Sequence, residues 1–170
     1  MKKALNICLL QCDLYWEDAL KNRAEIDAYL AEVTGADIIL LPELFSTGFS
    51  VASTHLAQTM DGETVVWMKA LAKKKKAVLC GSVMIKDKVH VFNRLLWVEP
   101  NGRVLHYDKR HLFSLIEEDK YFTAGTKRLV IEYKGWKICP MICYDLRFPV
   151  FARNDVDYDL ILFVANWPNT

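Results

Sequence analysis

The stretch from Gly135 to Pro149 runs apolar through Ile138, Pro140, Met141 and Ile142, then stops on Cys143, with Tyr144, Asp145 and Arg147 directly behind it. A thiol at a strand's carboxyl end, opening the first turn of a helix, stands among unpaired backbone N–H groups at the positive end of the helix dipole. Cys143 is therefore a candidate nucleophile. The Tyr144 N–H, one residue on, is placed to donate to a substrate oxygen as the attacked carbon becomes tetrahedral. Two more polar residues stand where strands run out: Glu43 after the apolar residues 37–42, and Lys109 after residues 103–108. A carboxylate, an ammonium and a thiol on one rim would supply a general base, an oxyanion partner and a nucleophile for attack on a carbonyl or nitrile carbon. Sheet order decides whether they meet, and sites at strand carboxyl ends make a shared rim the expectation.

Other chemistries fit less well. Cys139 and Cys143 lack the second cysteine pair or nearby histidine that zinc-finger spacing needs, so no metal is expected. Papain-like catalysis needs a histidine partner; His55, His90 and His106 sit in no suggestive context, and His111 reads as a structural residue beside Lys109. Cys8 and Cys12 read as core filler, since cysteine is among the most buried residue types.

The elements that must position these residues follow from periodicity. Residues 5–11 form a short apolar run expected as a strand buried on both faces. Residues 16–33 turn helical, with Ile26, Tyr29, Leu30 and Val33 on one face and Gly35 as the stop. Residues 37–42 are a second strand, giving the strand–helix–strand unit of a parallel pair. Residues 64–76 form a second amphipathic helix with Val66, Trp67, Ala70 and Leu71 on its apolar side, and the lysines at 73–76 are expected as a solvated last turn. Residues 77–85, 89–99 and 103–108 read as a meander. Residues 114–126 show no period and read as a loop. Residues 129–133 and 136–142 form a hairpin across Lys134 and Gly135, and 159–165 is one more buried strand.

This order of strands and helices makes an α/β domain the expectation. The chain has 170 residues, 52% of them hydrophobic, which supports one domain with a sizeable core and excludes disorder. Twenty-two basic residues against 21 acidic ones leave no field to attract nucleic acid or an anionic membrane, so a small molecule is the expected partner. No window approaches the length of a transmembrane helix. Five cysteines without an export signal point to free thiols and the cytoplasm.

Three motifs, in this order, resemble the nitrilase (carbon–nitrogen hydrolase) superfamily: Leu41-Pro42-Glu43, Lys109-Arg110-His111-Leu112-Phe113, and Cys143-Tyr144-Asp145-Leu146-Arg147-Phe148-Pro149. The likeness runs from the first strand to Asn166-Trp167-Pro168. It implies an α-β-β-α sandwich in which Glu43 is the base, Lys109 the oxyanion stabiliser and Cys143 the nucleophile. Glu118 matches a further glutamate that positions the catalytic groups in that superfamily, although Glu117 stands beside it. Tyr144, Arg147 and Phe113 fall on the substrate side, and no cofactor is implied. The text of the motifs is most similar to the omega-amidases, which release ammonia from the side-chain amide of 2-oxo acids such as 2-oxoglutaramate by way of a cysteine thioester. Another small amide or a carbamoyl amino acid is the alternative substrate, and a fragment acting only as an interaction module is the alternative class. The superfamily continues well beyond residue 168, so the chain is expected to be a C-terminally shortened single domain whose full-length form is a homodimer or larger.

Arg147 could hold the carboxylate of an acidic 2-oxo acid, because guanidinium matches carboxylate geometry, or could make a structural salt bridge. Lys109→Arg tests the oxyanion assignment. A planar guanidinium cannot put its charge where a compact ammonium stands, so turnover is expected to fall on the order of a hundredfold or more. Near-normal steady-state turnover would make Lys109 an ordinary surface residue.

Overall fold

Apolar runs punctuated by turn residues pair into two sheets in the computed structural model, which describes residues 3–167. The first sheet contains β1 (Ile7–Leu9), β2 (Ile38–Leu40), β3 (Val78–Asp87), β4 (His90–Val98) and β5 (Val104–Asp108), in that spatial order. β1, β2 and β3 run parallel, and β3, β4 and β5 form the expected antiparallel meander. The second sheet has β7 (Trp136–Ile142) at its centre, antiparallel to β6 (Ile131–Tyr133) and parallel to β8 (Leu160–Val164).

Alternation along the central strands builds two cores. In β3, Leu79, Val83 and Ile85 face α1 (Ala19–Tyr29) and α2 (Glu63–Lys75), packing with Ile26, Leu30, Met68 and Leu71. Val78 and Cys80 of the same strand face the second sheet, with Leu95 and Trp97 of β4 against Ile138, Met141 and Ile142 of β7. A strand covered on both faces reads as one continuous apolar run, which is why β3 and β4 are plain in the sequence. Three layers of the α-β-β-α sandwich are thus in place. Beyond β7, the only α-helix among the described residues is α4 (Pro149–Ala152), four residues long.

Several expectations shift. β1 covers three residues, and Leu9 is 72% exposed, so this strand is not buried on both faces. In β8, Leu162 and Val164 are buried while Leu160 and Phe163 are only partly covered. α1 begins at the Asp18 cap, whose carboxylate accepts the Lys21 N–H at 2.9 Å, and ends at Tyr29, well short of Gly35. The carbonyls just past its end are met from α2: the Lys75 ammonium donates to Leu30 O, to Ala31 O at 3.0 Å and to Val33 O at 3.1 Å. That lysine is a cross-helix cap, not part of a solvated run. The buried face of α2 is Thr64, Val65, Met68, Leu71 and Ala72, and Val66 points out. The segment read as loop at 114–126 contains a 3-10 turn, Ser114–Ile116, and α3 (Glu118–Tyr121). Pro168 and Thr170 lie outside the described residues. No helix among the described residues is long and apolar enough to cross a membrane.

Gly125 fixes the end of β5. Its N–H donates to Lys109 O at 2.8 Å, and a Cβ there would lie 2.1 Å from Asp108 O. Gly125→Ala must therefore push the 108–109 backbone aside. The expected loss of stability is about 1–3 kcal/mol, read as a lower denaturation midpoint at unchanged m-value, together with reduced activity because Lys109 moves with its backbone. An unchanged midpoint and activity would show that the segment yields freely.

Candidate active site

β7 delivers Cys143 into a strained turn. The residue takes φ +38°, a left-handed value that costs a non-glycine residue about 1–3 kcal/mol, and opens a 3-10 helix, Cys143–Arg147. Asp145, wholly buried, holds the turn. Its Oδ2 accepts from the Ile142 N–H at 3.1 Å and the Tyr107 hydroxyl at 2.7 Å. Its Oδ1 accepts from the His111 N–H at 3.0 Å and lies 2.8 Å from His111 Nδ1. His111 stacks on Phe148 with ring centroids 3.7 Å apart, and Tyr107 in turn accepts the Arg110 N–H at 3.0 Å. The cysteine turn is thereby fastened to the residues that follow Lys109, and His111 is structural as expected.

Glu43, Lys109 and Glu118 form one buried ionic cluster. Lys109 Nζ lies 2.8 Å from Glu43 Oε1, and 3.1 and 2.9 Å from the two Glu118 oxygens. Asn93 Nδ2 donates to the same Glu43 Oε1 at 2.8 Å and to Glu118 Oε1 at 3.1 Å. The Phe113 N–H donates to Glu118 Oε2 at 2.7 Å, and the Asn166 N–H approaches Glu43 Oε2 at 3.3 Å. None of the three charged side chains has measurable exposure. Glu117 is exposed and paired with Lys120, so the geometry places Glu118, not its neighbour, in the cluster. Glu43 reaches the cluster from a loop pinned to β3: the Leu44 N–H donates to Ser82 Oγ at 2.8 Å and the Phe45 N–H to Ser82 O at 3.2 Å.

The electrostatics follow from this burial. Desolvation raises the Glu43 carboxyl above its ordinary value, although the Lys109 charge works against that shift. Burial pulls the Lys109 ammonium down, but Glu43 and Glu118 together hold it above the usual lysine value. The Cys143 thiol is pushed up to about 12, first by burial and then by the Glu43 charge. The expectation of a thiol favoured as the anion by a helix start therefore gives way. Five residues of 3-10 helix are outweighed by desolvation and an adjacent carboxylate. Cys143 stands as a neutral thiol beside a base, a pair suited to proton transfer during attack.

Cys143, Lys109, Phe113 and Tyr144 line an open cavity of about 1110 Å³ together with Cys12 and Trp167. Cys12, read from the sequence as core filler, faces this cavity, whereas Cys8 packs against the sheet–helix core. The Tyr144 ring sits between Phe113 and Phe148, at centroid distances of 4.8 and 5.3 Å. Arg147 lies over the ring of Trp167, itself a residue of the cavity lining, at 5.6 Å, and lines a neighbouring hollow with Arg110 and Arg128. No group of three or more His, Cys, Asp or Glu side chains among the described residues is placed to hold a metal ion. The sequence reading missed Asn93, Tyr107 and Asp145. Asp145 lies within a quoted motif, but a buried, fully bonded aspartate looks like a solvated one until its partners are placed.

The family model for carbon-nitrogen hydrolase matches residues 6–166. This chain belongs to the carbon-nitrogen hydrolase family. Omega-amidase YafV of Escherichia coli is 47% identical over 166 residues, a match covering 96% of this chain and 64% of that protein. The 2-oxoglutaramate amidase of Bacillus subtilis is 32% identical over 168 residues, covering 95% of this chain and 65% of the relative. The chain therefore spans just under two thirds of the length of these relatives. A carbon-nitrogen hydrolase superfamily protein from Xanthomonas campestris, solved with an arsenic adduct in its active site, superposes with a TM-score of 0.94 at 46% identity, covering 97% of this chain and 66% of that one. An amidase from Nesterenkonia shares the fold, with a TM-score of 0.84 at 23% identity over 97% of this chain and 66% of its own.

For this carbon-nitrogen hydrolase, a Cys143 thiol pushed up to about 12 means the thiol is neutral at physiological pH. The difference in ultraviolet thiolate absorbance between the wild type and Cys143→Ala is expected to stay flat between about pH 6 and 9. A thiolate step in this range that disappears in Cys143→Ala would contradict the geometry.

Proposed function

We propose that this chain carries the acyl-transfer site of an amidase that hydrolyses the side-chain amide of a small 2-oxo acid, of the 2-oxoglutaramate type, to the acid and ammonia. The observation carrying this reading is the buried Glu43–Lys109–Glu118 cluster set beside the Cys143 thiol on a cavity wall. In the proposed cycle Glu43 takes the thiol proton as sulfur attacks the amide carbon. The oxyanion forms against the Lys109 ammonium and the Tyr144 N–H, one of the first-turn amides that a helix start leaves unpaired. Collapse breaks the C–N bond, ammonia departs with the proton held by Glu43, and a thioester remains on Cys143. Glu43 then takes a proton from water, which attacks the thioester and frees the acid and the thiol. Glu118 holds Lys109 with both of its oxygens.

The omega-amidase and 2-oxoglutaramate amidase names of two relatives support the substrate class. The proposal extends to a homodimeric or larger assembly and to a cytoplasmic setting, the latter supported by five free cysteines. Ammonia release by a polypeptide containing this chain, across a panel of amides including 2-oxoglutaramate, is the test. Fastest release from 2-oxoglutaramate, abolished by Cys143→Ala, with the trapped acyl group mapping to Cys143, is the expected outcome. Preference for a carbamoyl amino acid or a simple amide would change the substrate class, and no release from any amide would leave an interaction module.

A further inference from the structure

We propose that Asn93 is a positioning residue of this site: its carboxamide fixes which oxygen of Glu43 is free to take the thiol proton, and keeps Glu43 and Glu118 side by side as ionised carboxylates. The inference rests on the reading of Glu43 as the base. Asn93 comes from the middle of β4, opposite Met84 of β3, and is completely buried. Its main-chain oxygen accepts the Lys109 N–H at 3.0 Å, so it also sets the level at which the lysine leaves β5. Its Nδ2 reaches Glu43 Oε1 at 2.8 Å and Glu118 Oε1 at 3.1 Å.

The other end of the carboxamide shows what holds it there. Asn93 Oδ1 is buried with no hydrogen-bond partner among the described residues. A buried carbonyl left unbonded is costly, and rotating the amide by half a turn would only bring that oxygen against two carboxylate oxygens. The orientation observed is the one two negative charges impose. A carboxamide suits the position because it offers two N–H donors and no charge. A cation would draw the base's electrons further, and a third carboxylate would repel both glutamates.

The consequence falls on Glu43. Oε1 takes two donors, Lys109 Nζ and Asn93 Nδ2, both at 2.8 Å, whereas Oε2 has the Asn166 N–H at 3.3 Å. Oε2 therefore keeps the more available lone pairs. Without Asn93 the carboxylate loses a donor that favours its charged form and can rotate about its last bond, so Glu43 takes up a proton at higher pH and presents either oxygen to the thiol.

The test measures the rate at which iodoacetamide alkylates Cys143 as a function of pH, followed by peptide mapping, in the wild type, Glu43→Gln, Asn93→Leu and Asn93→Ser. Melting curves accompany each variant, and Asn93→Ser serves if Asn93→Leu fails to fold. Wild-type alkylation is expected to fall on the acid side as Glu43 protonates, Glu43→Gln to lose that limb, and the Asn93 variants to move it to higher pH. In amide turnover the Asn93 variants should lower kcat roughly ten- to a hundredfold with little change in KM. An acid limb that disappears in Glu43→Gln yet is unmoved in a folded Asn93 variant overturns the role of Asn93 and leaves the base standing. A limb that persists in Glu43→Gln overturns both.

Discussion

Two carboxylates share one ammonium in a place without solvent, and the rest of the molecule is arranged to make that tolerable. An isolated buried charge costs several kcal/mol even after relaxation, and removing one partner of a buried pair is strongly destabilising. Lys109 alone cannot balance Glu43 and Glu118. The cluster therefore draws on neutral donors from three other places: the Asn93 carboxamide, the Phe113 N–H and the Asn166 N–H. Each donor arrives on a different part of the chain, and each demands that its own segment be fixed. Burial first, and neighbouring carboxylate charge after it, raise both Glu43 and the thiol beside it and so keep the proton on sulfur.

Asp145 does the equivalent work for the turn that carries the thiol. Four donors converge on it, one from β7, one from the Tyr107 hydroxyl and two from His111. A left-handed cysteine persists only where its surroundings over-determine it, and this convergence supplies that constraint. It also joins the turn to the strand end that carries Lys109, so the two halves of the chemistry are set by a single buried side chain.

Much of this was legible in the sequence, for reasons that differ from residue to residue. β3 and β4 announced themselves because both of their faces are covered. Glu43 and Cys143 stood out because each ends an apolar run, and Lys109 because the third strand of the meander runs out there. The buried face of α2 was misjudged because Val66 and Trp67 look as apolar as Val65 and Met68, and only the neighbouring sheet selects between them. α1 was drawn too long because its stop is a lysine from another helix, a partner no local pattern contains. Asn93 was invisible because a polar residue inside a strand carries no mark of what it faces. Arg147 was read from the match of guanidinium to carboxylate, and its stacking on Trp167 carries no mark in the sequence.

The bonds of the cluster also say when in folding the site can exist. Lys109 and Glu43 are 66 positions apart, Asn93 and Glu43 are 50 apart, and the Asn166 N–H reaches Glu43 across 123. Lys109 and Glu118, nine positions apart, can meet locally, but Glu43 joins them only when β2, β4 and β5 share a sheet, and the Asn166 N–H arrives only when β8 has paired in the second. Glu43 must therefore stay hydrated until long loops have closed. A partly folded chain would hold the right residues while having no site.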